Sequence, residues 1–68
     1  MSTADIAEQI LYRPEEAAKA LRIGRSMVYE EMRLGRLQTV RIGRRRLVPL
    51  EYIERYVELL KREAEQPA

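Results

Sequence analysis

The spacing of apolar residues changes twice along this chain, and the two changes limit the folds open to it. Before Gly35 they recur at helical steps: Ala17, Ala18 and Leu21, then Val28 and Met32. Between Gly35 and Pro49 they alternate with charge, Val40 and Ile42 on one side and Arg41 on the other, with Leu47 and Val48 beyond Gly43. After Pro49 the helical step returns at Leu50, Ile53, Tyr56, Val57 and Leu60. Two helices, a hairpin and a closing helix must therefore share one core. A chain of 68 residues holds a single domain, and one of this size buries only about 60% of the surface that its unfolded chain exposes. Each fully buried Leu, Ile, Val or Met contributes roughly 1.5 to 3 kcal/mol against a chain entropy of similar total size. Little volume is left for a substrate pocket.

Local signals place the elements. Residues 1–9 lack periodicity and read as a flexible leader; residues 10–63 form the domain and 64–68 a flexible tail. Pro14 suits a first helical position, and Glu15 and Glu16 favour a helix start. Glu15 and Lys19 are four apart, a surface pair worth about 0.3 to 0.5 kcal/mol. Ala17 and Ala18 let a second helix approach closely across the turn Arg22-Ile23-Gly24, in which Ile23 plugs the core and Gly24 permits the bend. Gly35 ends the second helix. Gly43 marks a hairpin whose register stays open: a two-residue turn sets Val40 opposite Leu47, and one more turn residue sets it opposite Val48. Helix, turn, helix, two-stranded wing and closing helix make a mostly α class with a small β-hairpin, the compact winged helix-turn-helix.

Charge is unevenly distributed. Residues 23–50 carry seven basic and two acidic side chains, whereas the flanking segments are net acidic. An anionic partner is drawn to the middle of such a chain. No long apolar run and no lipidation signal point to a membrane, and no signal peptide is visible, so a cytoplasmic, nucleoid-associated protein is expected. With no Cys and no His, disulfides, the common zinc sites and His- or Cys-based catalysis are excluded. The adjacent pairs Glu15, Glu16 and Glu30, Glu31 diverge by about 100° on a helix and make no acid and base site. No enzyme, metal or cofactor is expected.

With Val28 and Met32 inward, the second helix turns Arg25, Ser26, Tyr29, Glu30 and Arg33 outward, groups able to bond bases or phosphates in a major groove. An ordinary solvated helix surface would look similar. Arg44, Arg45 and Arg46 follow at the wing tip, where successive like charges call for an anion such as a phosphate backbone or a minor groove. Protection of a strand edge by charge is the plainer reading. The last helix completes the core, with Glu51 and Arg55, and Glu58 and Arg62, as outer pairs.

The chain also resembles the excisionase-like, MerR-related DNA-binding domains of bacteria and their phages. The carriers are Glu16-Ala17-Ala18 with Leu21, Val28-Tyr29, Gly35-Arg36-Leu37, Val40-Arg41-Ile42-Gly43-Arg44-Arg45, and Pro49 followed by Ile53. The resemblance implies a sequence-specific double-stranded-DNA-binding protein of a mobile element. Such a protein bends DNA near an attachment site and directs an integrase of the tyrosine recombinase type toward excision, with neighbouring copies on tandem sites. It places major-groove contacts at Arg25, Ser26, Tyr29, Glu30 and Arg33 and wing contacts at Arg41, Arg44, Arg45 and Arg46. Weaker backbone contacts fall at Arg22, Gly24 and Arg36. Small transcriptional regulators share the domain, and a phage packaging or assembly adaptor is the alternative from another class. The chain departs from the family pattern at Arg13 and Gly24, where hydroxyl caps are usual, and at Arg22, where glycine is usual. A lost cap costs about 1 kcal/mol, less where Gly substitutes.

Overall fold

The computed structural model describes residues 10–66, so the expectations for the leader and for the last two residues lie outside the described part. The elements are β1 (Leu11–Tyr12), α1 (Pro14–Leu21), α2 (Arg25–Arg33), β2 (Val40–Ile42), β3 (Arg45–Pro49) and α3 (Leu50–Glu65). The three expected helices and the wing are present, and α3 runs two residues past the expected domain end at 63.

The sheet has one strand more than the wing alone. β1 pairs antiparallel with β3, Leu11 opposite Pro49 and Tyr12 opposite Val48, giving the order β1-β3-β2. The Leu50 N–H donates to the Ile10 carbonyl at 2.7 Å, extending this strap to the start of α3. Two residues are too short to show a strand period, so alternation in the sequence does not reveal this strand.

Pro14 opens α1, and the Glu16 carboxylate accepts the Arg13 backbone N–H at 2.8 Å, the half of a capping box that a guanidinium at the cap still allows. The Ile23 N–H returns to the Ala18 carbonyl at 3.0 Å around Arg22, whose φ of 60° and ψ of 41° are left-handed. This closing turn favours glycine, and an L-residue in it costs roughly 1–2 kcal/mol. Ile23 packs against the core as expected. α2 ends in the same way at Gly35, φ 79°, with the Arg36 N–H on the Glu31 carbonyl at 3.0 Å. The turn delivers Leu37 into the core.

The wing register is settled: Val40 faces Leu47, Arg41 faces Arg46 and Ile42 faces Arg45. Gly43, φ 62°, is the first residue of a two-residue turn, and Arg44 is not left-handed, the signature of a type II′ hairpin. The inward face carries Val48, fully buried, together with Arg46 and Arg41 by the strand's alternation. The other face is only half covered at Val40 and Leu47 and leaves Ile42 53% exposed. Ala17, Ala18, Val28, Met32, Leu37, Val48, Ile53 and Tyr56 form the core, with Leu21 and Leu59 packed at its margin.

Candidate nucleic-acid interface

α2 buries Val28 and Met32 and exposes Arg25, Ser26, Tyr29, Glu30 and Arg33. A cleft of about 440 Å³ runs between this helix, the start of α1 and the wing, and Tyr29, Arg33, Arg45 and Arg46 all line it. Arg33, Arg45 and Arg46 therefore lie on one side of the molecule. Arg25 is tied to the same cleft through Glu15: its Nη2 lies 3.6 Å from Glu15 Oε2, the atom that accepts the Tyr29 hydroxyl at 3.0 Å. Glu15 thus binds across to α2 and not to Lys19, the partner expected along its own helix.

The register distributes the wing arginines. Arg41 and Arg46 stand directly opposite on one face, a like-charge pair that destabilises the hairpin unless an anion joins it. Arg45 lies on the other face beside Ile42, and Arg44 sits in the turn. Among the described residues, none of these four makes an ion pair, nor does Arg22. The α2 arginines differ. Arg33 is held by Glu30, with Nε 3.2 Å from Oε1 and a second contact between Nη2 and Oε2, which keeps the Glu30 carboxyl below its ordinary range. A hydrogen bond to its carboxylate from its own backbone N–H, then one from the Tyr29 hydroxyl, lowers Glu15 likewise, and the bond with Glu15 raises the Tyr29 phenol. Both carboxylates are charged at neutral pH. Gly24, the N-cap of α2, offers no side chain, so the first-turn amides are left for a ligand or water.

Arg36 stands apart from this group. Its Nε donates to Glu31 Oε1 at 2.9 Å, and Nη1 and Nη2 donate to Glu63 at 2.6 and 2.8 Å. All three nitrogens are engaged in tying the exit of α2 to the far end of α3. Glu31 also accepts the Tyr56 hydroxyl at 2.6 Å and is itself buried. The sequence reading missed Glu31, although its three-residue step from Val28 was a signal, and missed Glu15, whose partner is on another helix.

Residues 11–58 match the helix-turn-helix domain family. The chain belongs to that family. Over 51 residues the helix-turn-helix chain is also 39% identical to a protein of Saccharopolyspora erythraea named "Probable excisionase", an alignment covering 75% of this chain and 52% of that one. The chain spans about half the length of this curated relative. No solved structure matches it significantly. The excisionase-like resemblance drawn from the sequence is thus supported by both family and relative, and this is a small helix-turn-helix DNA-binding domain. Among the described residues no helix is long and apolar enough to cross a membrane, and no cluster of acidic side chains forms a metal site.

Proposed function

We propose that this helix-turn-helix protein reads duplex DNA sequence-specifically as an excisionase, binding and bending DNA near an attachment site to direct an integrase of the tyrosine recombinase type toward excision. The observation that carries the DNA-reading part is the shared cleft, which sets Tyr29 and Arg33 beside Arg45 and Arg46. α2 enters the major groove with Arg25, Ser26, Tyr29, Glu30 and Arg33 toward base edges. Arg41, Arg44, Arg45 and Arg46 meet phosphates or the adjoining minor groove, and Arg22 and the Gly24 end of α2 take backbone positions. Arg36, already held by two carboxylates, is left out of the contact set. The excision part rests on similarity to the relative named as an excisionase. An adaptor role through α3 finds less support, since Ile53 and Tyr56 of that helix are spent on the core.

Five unpaired arginines meeting phosphates give a log-log salt slope of about 4 to 5, which is an affinity loss on the order of 500-fold for a fourfold rise in salt. Replacing Arg44, Arg45 and Arg46 by Ala should lower that slope by about 2 to 3 on every duplex, whereas Arg33→Ala should cost about 1–3 kcal/mol on a preferred duplex alone. Titrations on a selected and a random duplex measure both, and a salt-independent affinity would refute DNA reading. Excision is tested separately, by adding the protein to integrase and a substrate carrying both element ends. No rise in excised product at saturated sites would refute that part and leave DNA binding intact.

A further inference from the structure

We infer that Glu15 sets how well this protein distinguishes its preferred duplex from bulk DNA, by holding Arg25 and Tyr29 off phosphates until base edges can engage them. The inference rests on the sequence-specific reading above. Glu15 lies in the first turn of α1, fixed by the helix and not by a loop, and its Oε2 alone serves both partners, the Tyr29 hydroxyl at 3.0 Å and Arg25 Nη2 at 3.6 Å. Its side chain is 44% exposed, and the other charged residues lining its cleft are Arg13, Arg33, Arg45 and Arg46. An acid in this position opposes the cationic surface around it.

Consider what Arg25 gains on reaching DNA. A phosphate offers it a second anion in exchange for the first, and that phosphate then stands close to the ionised Glu15, which repels it. A guanine edge offers O6 and N7, two acceptors with no net charge, so Arg25 can bond the base while Glu15 remains beside it. Tyr29 faces the same choice. The unpaired wing arginines have no such restraint and hold any phosphate alike. Affinity and selectivity are thereby divided between two elements, with Glu15 keeping the recognition helix out of the non-specific complex.

The test uses the full chain, its Glu15→Gln and Glu15→Ala variants, a duplex enriched from a random pool by the wild-type protein, and a random duplex of the same length. Gln retains an acceptor for Tyr29, and thermal melts verify that each variant is folded. Without the charge, the random duplex should bind about 3- to 10-fold tighter and its log-log salt slope should steepen by about one, the signature of one more neutralised phosphate. The selected duplex should tighten by a smaller factor, so that the ratio falls. Adding Arg25→Ala to Glu15→Gln should remove the extra slope. Equal changes on both duplexes, or an unaltered slope, overturn the inference, because a merely structural Glu15 would weaken all DNA uniformly. If the wild-type protein enriches no duplex, the sequence-specific reading itself fails; if it does and Glu15→Gln keeps the ratio, only the role of Glu15 fails.

Discussion

Glu31 is the one charged side chain in the core among the described residues, and it joins α2 to α3. A buried carboxylate is tolerable only when its lone pairs are used, and here Tyr56 and Arg36 both donate to Oε1. Glu31→Gln or Tyr56→Phe should each destabilise the fold by about 1–2 kcal/mol in urea titrations at neutral pH. The pH dependence has a definite sign. The Tyr56 bond first, then Arg36, holds the Glu31 carboxyl below its unfolded value, so its stabilisation is complete above the ordinary carboxylate range and is lost as pH falls through the lower, folded value. Burial and then Glu31 push Tyr56 up to about 12, so its contribution is complete below its unfolded value of about 10 and fades only as pH rises toward 12. Stability measured from pH 7 downward should therefore decline in acid, and Glu31→Gln should flatten part of that decline. A slope identical to wild type would show that the acid sensitivity lies elsewhere. The inward placement of Glu31 had a local signal, its three-residue step after Val28, which the sequence reading passed over. Its partners had none, because Tyr56 lies 25 positions away and no local pattern encodes that pairing.

At the scale of elements, the wing depends on one backbone angle. Gly43 has φ 62°, and an Ala there has open space around its Cβ but the wrong backbone preference. Gly43→Ala should thus cost about 1 kcal/mol of hairpin stability, and amide exchange in β2 and β3 should quicken while α1 and α2 keep their protection. Loss of protection in the helices as well would mean that the wing is integral to the core. The helices were legible because their apolar steps repeat at helical spacing and are bounded by Gly35, which follows α2, and Pro49, which precedes α3. The wing was legible as a hairpin but not in its facing. Leu47 and Val48 are adjacent and both apolar, so alternation alone could not say which of them turns inward; packing of the Val48 face chose. The arginines of residues 44–46 read as one cluster in sequence, yet pairing sends Arg46 to the side of Arg41 and Arg45 to the side of Ile42.

For the molecule as a whole, the basic middle segment and its acidic flanks were countable from the sequence. The commitment of individual charges was not. Arg36 was grouped with the DNA contacts, and only the approach of α3 to the end of α2 reveals its pairing with Glu63. Architecture also has a temporal side. The α1 and α2 pair and the β2 and β3 hairpin each join near neighbours in sequence, whereas β1 must find β3 across most of the domain, Leu11 opposite Pro49. A closure over that distance is entropically late and need not exist at the folding barrier. Leu11→Gly should then quicken unfolding roughly 5-fold for each ~1 kcal/mol lost, with the refolding rate unchanged, in stopped-flow experiments. Slower refolding would mean that the strap is built early. Otherwise two residues at the edge of the sheet govern how long a finished molecule endures, with no say in how quickly it is made.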